Sequence, residues 1–173
     1  MARGDELETT DAEAKPEGDR GRGGVDGFDL AGFFPYRLAV LAERVSLAVS
    51  QLYADRFDLT RAEWRVIAAL GTNRTMSARD IGPYSTLDKM QVSRAVARLE
   101  ERGLLRRDDH ASDRRAKILS LTPAGRTLYR RIVPLVRARE DDLLAALEPA
   151  ERALFERCMR DVQARADGLI ARG

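Results

Sequence analysis

Residues 87–121 constrain this chain more than any other stretch. They read Leu-Asp-Lys-Met-Gln-Val-Ser-Arg-Ala-Val-Ala-Arg-Leu-Glu-Glu-Arg-Gly, then Leu-Leu-Arg-Arg, a polar turn and Lys-Ile-Leu-Ser-Leu. At about 100° per residue, Val92, Ala95, Val96 and Leu99 fall on one narrow side of a helix. Met90, Arg94, Ala97 and Arg98 fall opposite, with Gln91 and Ser93 on the flanks. Thr86 is expected as the N-cap, with Asp88 in the first turn at the positive end of the dipole. Gly103 stands where a left-handed C′ residue ends the helix.

Residues 104–107 and 117–121 then read as two short strands. The charged segment Asp-Asp-His-Ala-Ser-Asp-Arg-Arg between them is too long for a two-residue turn. A helix with an apolar back and an Arg, Gln and Ser front fits a major groove, which is roughly 12 Å wide. A basic hairpin beside it reaches the DNA backbone or the adjacent minor groove. Helix and hairpin together predict a winged helix.

The rest of the chain reads as helices around that unit. Residues 1–32 are assigned to an acidic, Gly-rich tail, because a segment so poor in large apolar side chains cannot offset its ordering entropy. Residues 1–27 hold eight acids and four bases, a charge of −4; the whole chain is +2, so the remainder is +6 and suited to a polyanion. Residues 33–57 carry Leu38, Leu41, Val45, Val49 and Leu52 at helical spacing. Thr60 with Glu63 forms a capping box for the next helix, which is expected to end at Gly71. A short helix capped by Ser77 follows, from 77 to 82. Thr122 caps a long helix to about residue 147, with Pro123 at N1 and a bend expected at Pro134. Pro149 starts a last helix, on which Cys158 is expected to be a buried structural thiol. The fold expected is mainly α with a small β-hairpin wing: a DNA-binding winged helix-turn-helix over 58–121, with dimerisation helices at 33–57 and 122–173. Apolar stripes at both ends exceed what a small winged helix covers, and a symmetric dimer is the simplest partner.

The stretch Leu-Asp-Lys-Met-Gln-Val-Ser-Arg-Ala-Val-Ala-Arg-Leu-Glu-Glu-Arg-Gly-Leu-Leu, followed by Ser-Asp-Arg-Arg-Ala-Lys-Ile-Leu-Ser-Leu-Thr-Pro-Ala-Gly, resembles the multiple-antibiotic-resistance-regulator (MarR) family. Asp113 and Arg115 match its wing Asp-x-Arg, and Leu121, Thr122 and Gly125 match Leu-Thr-x-x-Gly. Leu59-Thr60, Trp64-Arg65-Val66 and Leu70 also fit, and the likeness covers roughly residues 33–170. The resemblance implies that Arg115 enters a minor groove with Asp113 aligning it. It also implies a small anionic or aromatic effector between the first helices and the long dimer helix. Arg37, Arg44, Tyr53 and Trp64 are the candidate sensor residues, Arg37 as a fork for a carboxylate. Core packing for Trp64 and a plain salt bridge for Arg37 are the competing uses.

Among the DNA-facing candidates, Arg94 sits where guanidinium bridges guanine O6 and N7, and Gln91 where an amide reads adenine. Ser93 and Arg98 are placed for phosphates. Arg106, Arg107, Arg114 and Lys117 supply phosphate or long-range electrostatic contacts. The competing reading is a solvated helix face for the helix residues, a surface ion pair for Asp113 and Arg115, and no contact for some of the other hairpin basic residues. No cofactor and no metal are expected: the one histidine, His110, lies in the wing turn, and the chain shows no zinc spacing, phosphate-binding glycine loop or nucleophile elbow. No apolar run is long enough to span a bilayer, no secretory signal is apparent, and the single cysteine suits a reducing cytoplasm. The expected function is a homodimeric transcription regulator on a pseudo-palindromic operator, a repressor released by a small ligand. The alternatives are a constitutive or architectural DNA binder, a helical interaction module and, least supported, an enzyme.

Overall fold

The computed structural model describes residues 27–109 and 117–173. Two compact units divide the chain, Met1–Val40 and Leu41–Gly173. In the first, Asp29 Oδ1 accepts the Ala31 amide at 3.0 Å and Phe28 meets Phe33 edge-on at 5.2 Å. Helix α1 (Phe34–Ser50) begins in this unit and ends in the second.

The second unit holds everything else: α2 (Ala54–Phe57), α3 (Arg61–Asn73), β1 (Thr75–Ser77), α4 (Ala78–Ser85), α5 (Lys89–Glu101), β2 (Leu105–Asp109), β3 (Lys117–Leu121), α6 (Pro123–Leu144) and α7 (Pro149–Ile170). Its core gathers Val66, Ile67 and Leu70 of α3, Ile81 of α4, Val92, Val96 and Leu99 of α5, Leu119 and Leu121 of β3, and Ile132 of α6. These are the apolar stripes of each helix turned onto one another, and their burial is what holds the helices to the sheet. The predicted hairpin pairs antiparallel, Leu105 opposite Leu121 through Asp109 opposite Lys117. Its first strand starts and ends a little later than expected.

Local chemistry explains most element starts. Thr60 accepts the Glu63 amide while Glu63 accepts the Thr60 amide, completing the predicted capping box. Thr122 and Ser77 cap α6 and α4 as expected. Gly103 has φ +65°, and the Leu104 amide reaches the Leu99 carbonyl while that of Gly103 reaches Glu100, a Schellman close for α5.

Several expectations are corrected. Thr86 does not cap α5. It is left-handed, φ +56°, and closes α4, while Asp88 caps α5 in a reciprocal box with Gln91. The first helix stops at Ser50, where i→i−3 bonds from Leu52 and Tyr53 tighten the chain and turn the Tyr53 ring into the core. Helix α3 runs through Gly71 to Asn73, because that glycine serves a close approach and not a stop: a Cβ there would lie 2.5 Å from the Tyr129 ring. Helix α4 continues past Gly82 to Ser85. A third strand, β1, pairs Thr75 with Ser120 and gives the sheet order β1-β3-β2. Cys158 is exposed, on a helix with no buried residue that lies outside the core cluster.

Candidate nucleic-acid interface

The amphipathic split of α5 is the foundation of the site. Val92, Ala95, Val96 and Leu99 are buried, and Met90, Gln91, Ser93, Arg94, Ala97 and Arg98 are exposed. The inner four are held by α3 and the sheet, so the outer face is presented by a rigid element.

The basic side chains on and beside this face are not equivalent. Arg94 is exposed and has no hydrogen bond or ion pair among the described residues. Arg98, expected at phosphates, is engaged inward: its guanidinium meets Asp58 at 2.9 Å and the buried Glu63 at 3.0 Å. The hydrogen bond to Asp58, and then the charge of Glu63, hold its pKa above the ordinary arginine value. Gln91 accepts the Asp88 N–H on its amide oxygen, which starts the helix and leaves one lone pair of that oxygen and the amide nitrogen for outward chemistry. Ser93 is exposed on the flank.

Strand alternation separates the two arginines of β2. Arg107 turns toward α5, where its Nε donates to both Glu100 carboxylate oxygens at 2.8 Å; that bond raises its pKa. Arg106 turns to the opposite face, donating to Ser120 Oγ at 3.1 Å and pairing with Asp108 at 3.0 Å. Lys117 opens β3 across from Asp109. Asp113, Arg114 and Arg115, with His110, lie outside the described residues.

Two supporting arginines were not singled out by sequence. Arg102 donates to the Asp58 and Phe57 carbonyls at 2.6 and 2.9 Å, anchoring the end of α5 to the α2–α3 turn. Arg65 of α3 reaches Thr86 Oγ1 at 2.9 Å, fixing the turn that precedes α5. Arg65 stands in the Trp64-Arg65-Val66 motif of the family resemblance, which assigns it no such contact.

Of the four candidate sensor residues, the structure brings two together. Tyr53 is buried against half-buried Trp64, ring centroids 5.5 Å apart, and Tyr129 of α6 also stacks with Trp64 at 6.3 Å. Burial raises the Tyr53 phenol above its usual pKa. Arg44 is exposed on α1, and Arg37 belongs to the Met1–Val40 unit. Among the described residues no cluster of three His, Cys, Asp or Glu could hold a metal, and no helix is long and apolar enough to cross a membrane.

Residues 57–116 match the profile of the MarR family. An uncharacterized HTH-type transcriptional regulator of Bacillus subtilis, YwoH, is 31% identical over 53% of this chain and 66% of its own length. The first curated relatives are spanned over only 60–66% of their length. The HTH-type transcriptional repressor Mb2911 of Mycobacterium bovis is 29% identical over 67% of this chain and 81% of its own length. Among solved structures, Bordetella bronchiseptica BpsR superposes with TM-score 0.70 and 26% identity, over 79% of this chain and 96% of that one; its DNA binding is regulated by 6-hydroxynicotinic acid. These relatives are regulators, not enzymes. With the winged-helix architecture and these matches, residues 57–116 are a MarR-family domain.

Proposed function

We propose that this protein is a homodimeric, sequence-specific DNA-binding repressor of transcription whose hold on DNA is relieved by a small ligand. The observation that carries the reading is the contrast on α5. The core, Glu63 and Asp58 engage one side of the helix, while Arg94 is left exposed and without a partner among the described residues. A guanidinium so presented gains most from a bidentate acceptor such as a guanine edge. Ser93, Gln91, Lys117 and the wing residues Asp113, Arg114 and Arg115 are assigned to the surrounding contacts. Arg98, Arg106 and Arg107 act mainly by holding the site in place.

The second copy follows from exposed apolar surface. Helix α7 carries Leu154, Met159, Val162, Leu169 and Ile170, all between 44% and 78% exposed. Such a stripe is stable in water when a symmetric mate covers it. Residues 33–57 and 122–173 are therefore assigned to dimerisation and 58–121 to DNA. Two recognition helices then read half-sites roughly 34–36 Å apart. A ligand relieves binding when it prefers a dimer geometry that breaks this spacing, because only differential affinity shifts the equilibrium.

Constitutive binding is the second reading, favoured by one observation: the Tyr53 ring is spent on packing against Trp64. Footprinting on the DNA flanking the protein's own gene, with and without small aromatic acids, tests both. A footprint over paired half-sites that fades with ligand supports the repressor. A footprint that no such acid alters favours constitutive binding, and none at low salt refutes DNA recognition.

A further inference from the structure

A cleft of about 530 Å3 lies on the outer face of the sheet, away from α5, between the end of α3 and the start of α6. Its floor is set by strand register. Thr75, Ser120 and Arg106 are consecutive cross-strand partners, so all three side chains share the face opposite the core-directed Leu119 and Leu105. Arg126 and Arg130 flank the cleft from α6, and Arg74 from the α3–β1 junction. Half-buried Tyr129 adds an apolar wall.

The charge of this cleft is unbalanced. Four guanidinium groups line it against one carboxylate, Asp108. Arg106 is matched by that carboxylate, and Arg126 donates to the Leu121 carbonyl. Arg74 and Arg130 have no hydrogen bond or ion pair among the described residues. Like charges gathered in a concave site repel one another unless an anion enters, and the concavity focuses their field. Arg74 also sits at φ +62°, ψ −52°, a conformation that costs a non-glycine residue and that recurs at ligand clamps.

We propose that this cleft binds a small organic phosphate, its dianionic group held by Arg74, Arg130 and Arg126 and its carbon body laid against the Tyr129 ring. The volume falls in the roughly 300–1,000 Å3 range of small-molecule sites. Guanidinium forks suit phosphate oxygens, and the excess of positive charge favours a dianion over a singly charged acid. The site is separate from the face of α5, so it stands or falls independently of DNA recognition.

Calorimetry at constant ionic strength with inorganic pyrophosphate and, separately, benzoate tests this on the full chain. Pyrophosphate is expected to bind saturably, one per chain, and more tightly than benzoate. Arg74→Gln with Arg130→Gln is expected to weaken it at least about tenfold, while Arg94→Ala leaves it unchanged. Should the double variant fail to fold by circular dichroism, Thr75→Glu, which adds a carboxylate to the cleft wall, is expected to give the same loss. No saturable heat, tighter benzoate binding, or loss in Arg94→Ala instead of the cleft variants overturns the proposal. A shallower salt dependence of duplex binding in Arg74→Gln/Arg130→Gln would assign the cleft to DNA phosphates and overturn a free ligand.

Discussion

Arg98 Nε lies 3.0 Å from Glu63 Oε1, and that carboxylate is only 2% exposed. The pair joins the recognition helix to the first turn of α3, where the same Glu63 also closes the capping box. Removing Glu63 as alanine strips the reciprocal half of the capping box and the buried partner of Arg98, while the Thr60 hydroxyl still accepts the residue-63 amide. Loss of that one hydrogen bond alone is expected to cost about 0.5–1.5 kcal/mol, read as a lower urea midpoint with an unchanged slope. Arg98→Ala is expected to destabilise in the same direction by leaving a buried carboxylate uncompensated, and Arg98→Lys to recover part of it.

Gly71 and Tyr129 make a second tight relationship. A Cβ at position 71 would stand 2.5 Å from the ring, and the ring also stacks on Trp64. Gly71→Ala is expected to cost about 1–3 kcal/mol by overpacking and to shift the emission of Trp64, the only tryptophan. In combination with Tyr129→Ala, the two losses should sum to less than their separate values, because the clash is relieved.

Tyr53 gives the fold an alkaline limit. Burial raises its folded pKa above the ordinary 10.0, so the folded state keeps its proton longer than the unfolded chain. The associated stability is full below pH 10 and is lost as pH rises from there through the folded pKa. Urea midpoints at pH 9 and pH 11 should fall less in Tyr53→Phe than in the wild type.

The exposed stripe of α7 predicts assembly. Met159→Glu with Val162→Glu places charge in that stripe and is expected to shift sedimentation from dimer to monomer. Cys158, exposed beside it, should react with a thiol reagent faster in that variant than in the wild type. Equal reactivity and an unchanged sedimentation coefficient would place the interface elsewhere.

How far these relationships could be read in advance depended on their range along the chain. The inner face of α5, the left-handed Gly103 and the Thr60 and Thr122 caps follow from residues within a few positions of one another. The true cap of α5 was also local: Asp88 followed three residues later by Gln91 is a capping box, and Thr86 only competes with it. Arg106 and Arg107 part company by simple strand alternation. Strand β1 is three residues long and exists because β3, more than forty residues later, pairs with it. The use of Arg98 depends on Asp58, forty positions away, and on Glu63, whose capping role was legible but whose burial was not. Both are products of packing.

The most direct test of the account is the affinity of wild type and Arg94→Ala for a footprinted duplex and for a scrambled duplex, by fluorescence anisotropy across a salt series. The account predicts a loss of roughly 1–3 kcal/mol for the variant on the footprinted duplex and little change on the scrambled one. Equal weakening on both would contradict base reading by Arg94. A wild-type chain that binds neither duplex at low salt would contradict the proposed function itself.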